Sequence, residues 1–248
     1  MSYKEYSCRE CLNGAELPFS FTMAFQPIVD VVEKKIFSHE ALVRGVNGES
    51  AGFILSQVNE KQLYQFDQAC RVKAIELASR LKMDSYLNIN FLPNAVYKPE
   101  TCIKTTIEAC KTFGFPMQRI ILEVTEAEKV DNKDHLINIF REYRKMGLLT
   151  ALDDFGEGYS GLNMLAEFQP DYIKLDRKLI SDVDKDSIRQ RIVHSIVSLC
   201  KNIGIHFEAE GIETYEEYSY LQSIGVRYMQ GFYFSKPILE GVGNISWN

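Results

Sequence analysis

The chain repeats one supersecondary unit, in which an amphipathic helix ends in glycine and a β-branched apolar run follows within a few residues. That order predicts parallel strands joined by helices, because each helix must return the chain to the edge where the previous strand began. One such helix begins near Asp131, carries Leu136, Phe140 and Tyr143 on one face at helical spacing, and stops before Gly147 and the run LLTALDD. A second starts at about Asp186, with Ile188, Ile192, Ile196, Leu199 and Ile203 expected inward, and ends at Gly204 before IHFEAEG. A third opens on a capping box, Thr214 with Glu217, turns Tyr218, Leu221 and Ile224 inward, and ends at Gly225 before VRYMQGF. Gly114 plays the same part between residues 101–113 and RIILEV.

Counting the apolar runs gives eight strands, near 21–29, 35–43, 86–91, 119–126, 148–154, 172–176, 206–210 and 227–234. The first two are separated by VVEKK, too short for a crossover helix, so they form an antiparallel hairpin. The fold class that follows is α/β, a TIM-like (β/α)₈ barrel whose first strand runs antiparallel to the others. At 248 residues the chain has the length such a barrel needs, typically about 250. No Pro/Gly/Ser-rich linker divides it, which assigns one domain over 19–248 behind an N-terminal extension of residues 1–18.

A net charge of −6 argues against binding DNA or RNA duplexes, which requires a basic footprint to displace counterions. A small anionic ligand is compatible with it, held by metals and a few local cations. There is no apolar stretch long enough for a membrane segment or a secretory leader, and the protein is read as cytoplasmic. Of the six cysteines, Cys8 and Cys11 form a CxxC pair with no second pair at zinc-site spacing. A reduced pair in the extension is the plainer reading, with a zinc or redox role as the alternative.

Acidic or amide residues fall at the C-terminal end of nearly every expected strand, the rim where barrels of this class carry their active sites. Glu40 lies late in the second strand and Asn90 ends the third. Glu123 and Glu126 end the fourth, Asp153 and Asp154 the fifth, Lys174 and Asp176 the sixth, and Glu208 and Glu210 the seventh. Gln230 sits in the eighth. One strand-end acid is more often a cap or a solvated charge, but caps do not recur on so many consecutive strands. Carboxylates gathered in one mouth repel each other unless cations neutralise them, and hard oxygen donors select Mg²⁺ or Mn²⁺. The Asp153-Asp154 pair suits a two-metal centre in which one carboxylate bridges both ions.

With these residues in hand, the chain resembles the EAL family of cyclic di-GMP phosphodiesterases from about Phe21 to Ile238. The resemblance rests on Glu40-Ala41-Leu42 with Arg44, and on FQPIVD, NINFLP, EVTE, DDFGEGYSGL, IKLDR, AEGIE and QGFYFSKP in the family's order. It implies hydrolysis of cyclic di-GMP to linear pGpG at a site holding two Mg²⁺ or Mn²⁺ ions. Glu40, Asn90, Glu123 and Asp153 are implied as ligands of one ion, and Asp153, Asp154 and Glu210 as serving the other or its water. Lys174 is implied to orient the attacking water, Gln230 to hydrogen-bond water near the metals, and Glu126 to anchor a mobile loop over Phe155 to Leu162. Substrate contacts are implied for Gln26, Arg44, Asp176, Glu213, Phe234 and Pro237. Arg44 is chemically apt, since a guanidinium grips a phosphate with two hydrogen bonds. A homodimer coupled to that loop is also implied, and any regulatory input falls to a partner protein, the extension or self-association. Gly45 stands where many members carry an aromatic residue, and His39 and Glu157 are less usual neighbours of their motifs. The rival from another class is a non-catalytic cyclic di-GMP receptor, which keeps the pocket but loses ligands.

Overall fold

The structure, a computed structural model, describes residues 17–96, 98–125, 133–156, 161–245 and 247. The short VVEKK connection makes the expected hairpin: β1 (Phe21–Asp30) pairs antiparallel with β2 (Lys35–Gly45), from Phe21 opposite Gly45 to Asp30 opposite Lys35. Each later strand lies parallel to its predecessor, through β3 (Tyr86–Asn90), β4 (Ile120–Thr125), β5 (Leu149–Phe155), β6 (Tyr172–Leu175), β7 (His206–Ala209) and β8 (Tyr228–Gln230). β8 then pairs antiparallel with β1. The result is a closed eight-stranded barrel in which β1 opposes both neighbours.

Helices α1 (Ala51–Leu55), α2 (Leu63–Arg80), α3 (Pro99–Phe113), α4 (Lys133–Lys145), α5 (Gly161–Glu167), α6 (Arg177–Ile180), α7 (Ser187–Ile203) and α8 (Tyr215–Ser223) occupy the crossovers. α3 and α7 end where the repeat places their glycines: Gly114 and Gly204 take φ of 74° and 75°, the left-handed cap that a side chain would disfavour. The capping box at Thr214 is formed, with Glu217 returning to the Thr214 amide.

Strand alternation divides the apolar residues into two layers. Outward-facing Phe25, Leu87, Ile89, Leu122, Leu152 and Ile173 join Ile75, Ile103, Phe140 and Val193 of the helices in the main core. Inward-facing Ile28, Ile121, Ala151, Tyr172 and Tyr228 form a second cluster, with Phe37, Tyr86 and Leu149 against it. Most of these lie at the N-terminal ends of parallel strands, and the Phe37 ring sits 4.3 Å from that of Tyr228. They make an apolar floor, so the polar residues above it open toward one mouth.

Two expectations are corrected. The eighth strand stops at Gln230 instead of reaching residue 234, because Ile212 takes over its hydrogen bonds: the Ile212 amide donates to the Gln230 carbonyl, and the Tyr233 amide donates to the Ile212 carbonyl. The chain leaves the sheet at Gly231, where a Cβ would fall 2.0 Å from the Ile212 carbonyl oxygen. It returns as β9 (Ile238–Leu239) against Ala24 and Phe25 of β1, beyond the point where β8 left off. On α7 the seated stripe is Val193 and Cys200, with Ile196, Val197 and Leu199 partly buried beside it. Ile188, Ile192 and Ile203, expected inward, are 61%, 40% and 39% exposed. Two overlapping apolar stripes run along this helix, and periodicity does not say which one the barrel takes.

Candidate active site

The same alternation that builds the floor points Glu40 of β2, Asn90 of β3, Glu123 of β4, Asp153 of β5, Lys174 of β6 and Gln230 of β8 into the barrel, with Glu210 directly after β7. Lys174 is fully buried at their centre. Its Nζ lies 2.5 Å from Glu210 Oε1, 3.1 Å from Glu123 Oε2, 3.3 Å from Asp153 Oδ1 and 3.5 Å from Glu40 Oε2. Gln230 Nε2 donates to Glu40 Oε2 at 2.8 Å, and Asn90 Nδ2 donates to Glu40 Oε1 at 3.2 Å.

Asp153 and Asp154 are neighbours on a strand and should face opposite sides. They do not, because the β5–β6 register breaks between Leu152 and Phe155, and Asp154 takes a left-handed φ of 52°. Aspartate tolerates that region better than most side chains. The Asp154 amide donates to Asp153 Oδ1 at 2.8 Å, which fixes the turn. Two groups of oxygen donors result, Glu40 with Glu123 and Asp153, and Asp153 with Asp154 and Glu210, each with its ligand atoms within 4.8 Å of one another. Asp153 belongs to both. An all-oxygen set of carboxylates, buried in the first group and partly exposed in the second, fits hard divalent cations.

The electrostatics follow from burial. Burial drives Glu123 and Glu210 well above the usual carboxylate range; Lys174 opposes this and the neighbouring acids reinforce it. Asp153 is raised for the same reasons. Burial alone would lower the Lys174 ammonium, but Asp153, Glu123, Glu210 and Glu40 outweigh it and hold lysine well above its ordinary value. Glu208, beneath them, is pushed up to about 8. The sign is that of acids holding extra protons when folded, so stability is present at low pH and lost as pH rises from the unfolded value near 4.5 through about 8. Metal-free protein is therefore expected to melt at lower temperature at pH 8.5 than at pH 5.5. Added Mg²⁺ should raise the melting temperature more at the higher pH, because binding needs ionised carboxylates. A thermal-shift series over pH, with and without the ion, checks both; stability rising with pH in the metal-free series would contradict the assignment.

The rim carries the remaining residues singled out from the sequence. Gln26 Nε2 donates to the Ser235 carbonyl at 3.2 Å, tying β1 to the excursion that contains Phe234 and Pro237, both partly exposed. Asp176 caps α6 by accepting from the Lys178 amide at 2.9 Å. Glu213 pairs with Arg177 at 2.7 Å, near the surface. The half-buried Arg44 donates to the Val43 carbonyl at 2.7 Å. Beside it, a Cβ at Gly45 would fall 2.0 Å from Glu49 Oε2, so Glu49 holds the space an aromatic side chain would claim. His39 points away from the mouth to Ser85, 2.8 Å away, and burial lowers it to about 4. A mostly apolar cleft of about 270 Å³, lined by Leu42, Val43, Leu55, Phe66 and Leu92, adjoins Asn90. Glu126, Glu157, Cys8, Cys11 and residues 157–160 of the Phe155 to Leu162 loop lie outside the described residues.

One site residue, Asn88, was not singled out from the sequence, and Glu208, counted there among the strand-end acids, was given no role. Asn88 Nδ2 donates to Glu123 Oε1 at 2.5 Å, and Glu208 sits beside Lys174 in the β6–β7 register. Each lies two residues before a residue given a ligand role, Asn90 and Glu210, on the same strand face. The period of two was the available signal.

A family model described as the EAL domain matches residues 18–237. The chain belongs to the EAL domain family. Among curated relatives from Escherichia coli K12, the blue light- and temperature-regulated antirepressor BluF is 31% identical over 225 residues, 90% of this chain and 56% of its own. The probable cyclic di-GMP phosphodiesterase PdeG is 30% identical over 239 residues, 91% and 45% respectively. The chain thus spans about half the length of these relatives. Among solved structures, a standalone versatile EAL protein from Vibrio cholerae O395 in its c-di-GMP-bound form is 50% identical with a TM-score of 0.90, covering 93% of this chain and 98% of that one. The manganese/cyclic di-GMP complex of Klebsiella pneumoniae BlrP1 at pH 9.0 is 37% identical with a TM-score of 0.87, covering 92% and 58%. Among the described residues, no helix is long and apolar enough to cross a membrane.

Proposed function

We propose that this EAL domain hydrolyses one phosphodiester of cyclic di-GMP to linear 5′-pGpG, using two Mg²⁺ or Mn²⁺ ions. The observation that carries the reading is Asp153, shared by two acid groups whose donors each lie within 4.8 Å of one another. Glu40, Glu123 and Asp153, with Asn90, would hold one ion, and Asp153, Asp154 and Glu210 the other. Bound there, the ions would polarise the phosphodiester and acidify a water. Lys174 steadies the charge that develops beside them, and Gln230, already bonded to Glu40, presents its amide to the same water. Arg44 grips a phosphate oxygen once it exchanges the Val43 carbonyl for the ligand. The apolar cleft beside Asn90 suits a nucleobase, and Glu213 shares Arg177 with whatever polar edge reaches the rim. The solved complexes of similar proteins with cyclic di-GMP, including the one at 50% identity, support this substrate.

A non-catalytic receptor is the second reading, favoured by the relative named as an antirepressor. Against it stands the full set of carboxylates in both acid groups. The homodimer belongs to the same proposal and is supported by Leu162 on α5, 65% exposed just past the 157–160 segment. Purified protein incubated with cyclic di-GMP and Mg²⁺ or Mn²⁺ should yield pGpG, and chelation should stop it. Nucleotide recovered intact but bound would transfer the assignment to the receptor. Light scattering across the same concentrations reads the dimer, and full turnover by a strict monomer would reject its role.

A further inference from the structure

Lys174 and the two acid groups compete for the same oxygens. The four carboxylates around its ammonium, Glu40, Glu123, Asp153 and Glu210, are all members of the groups that suit divalent ions. With those oxygens turned to cations of charge two, the ammonium keeps its place beside them only if its N–H donors find other acceptors. A buried ammonium without acceptors is costly, so the barrel must supply them from below.

Below lies Glu208. It pairs with Lys174 across β6 and β7, is 1% exposed, and belongs to neither acid group among the described residues. Its Oε1 is buried without a hydrogen-bond partner. On its other side in the sheet is Tyr228 of the apolar floor, which offers no place for a metal ion. Asn88 Oδ1 is a second buried acceptor without a partner, on the strand across Glu123.

We propose that Glu208 is a positioning residue: its carboxyl accepts a hydrogen bond from the Lys174 ammonium when metal ions take the four carboxylates above. The inference rests on the two-metal reading of this site. It gives Lys174 a fixed place beside the water while its present partners are engaged elsewhere, and it explains a carboxyl buried one layer below any ligand role.

The decisive measurement needs no turnover. In a crystal structure of the Mn²⁺-loaded wild-type protein, Lys174 Nζ should lie within hydrogen-bond distance of a Glu208 oxygen. An ammonium left on Glu123 or Glu210, or turned to Asn88 Oδ1 with Glu208 bonded elsewhere, overturns the proposal. Kinetics give the second arm. Glu208→Val should lower kcat on the order of tenfold with KM changed less than about threefold, the pattern of a lost transition-state interaction. Glu208→Gln, which keeps an acceptor oxygen, should recover most of that loss. Glu208→Val placed on Lys174→Ala should add little further loss, since the residue acts through the lysine. Equal losses for valine and glutamine, or full additivity with Lys174→Ala, would make the role structural and sink the inference. If wild-type protein gives no pGpG, the phosphodiesterase reading fails by itself, and the metal-loaded structure still decides the role of Glu208.

Discussion

Asp153→Asn is expected to abolish pGpG formation while leaving the barrel folded. The asparagine is nearly isosteric and can still accept the Asp154 amide that Asp153 Oδ1 accepts at 2.8 Å, so the left-handed turn at Asp154 survives. What disappears is the anionic oxygen common to both acid groups. Losing a residue that merely supports a ligand already costs about 10–100-fold, so losing a shared ligand should exceed the upper end of that range. Lys174 also loses one of its four carboxylate neighbours, and the remaining three more than satisfy it in metal-free protein. The unfolding transition of the metal-free variant should therefore stay within about 1 kcal/mol of wild type, as for a substitution that neither empties the core nor strands a charge. Turnover and calorimetry together test the claim. Near-normal turnover in Asp153→Asn would remove the shared-ligand role and with it the two-metal assignment.

Much of this arrangement was legible because it depends on local rules. VVEKK cannot hold a helix, so the first strand had to reverse, and β1 does oppose both of its neighbours. Strand-end acids share a mouth once parallel strands close into a ring, whatever the lengths of the helices between them. What was hidden depends on tertiary choices. Nothing local says that Val193 rather than Ile192 faces the barrel, since both lie on continuous apolar stripes and differ by one residue of helix rotation. The end of β8 is decided by Ile212, eighteen residues earlier, which captures the next hydrogen bonds. Lys174 reads in sequence like any strand-end charge, and only closure of the ring buries it among four acids. The Asp-Asp pair carried a concealed contradiction, because alternation would separate the two carboxylates; a register break and a positive φ at Asp154 resolve it. Backbone irregularity at the site of proposed chemistry is where a reading from periodicity should fail.

The largest effect on stability is expected away from the mouth, at Arg71. This arginine is fully buried on α2, its Nη2 contacts the carboxylate of Asp67 one turn earlier, and its Nη1 donates to Thr106 Oγ1 of α3 at 3.4 Å. Burial opposes the guanidinium charge, and Asp67 and Tyr143 more than offset it, so Arg71 stays charged in the helical layer. Asp67 also accepts the Leu92 amide through Oδ1 at 2.9 Å, which ties α2 to the segment two residues beyond Asn90. Arg71→Met would leave a carboxylate buried with no cation, a defect that costs about 3–5 kcal/mol, and would lower the melting temperature on the order of 10 °C for a domain of this size. Asp67→Leu together with Arg71→Met removes both charges and should recover much of that loss, since buried pairs exchange well for apolar groups of similar volume. Recovery should stop short of wild type by roughly 1–3 kcal/mol, because the Leu92 amide then has no acceptor. Urea denaturation of the two single variants and the double variant supplies the cycle. If Arg71→Met unfolds at the wild-type midpoint, the pair contributes nothing to the fold. If the double variant is no more stable than the single one, the damage comes from lost packing around the arginine stem and not from a stranded charge.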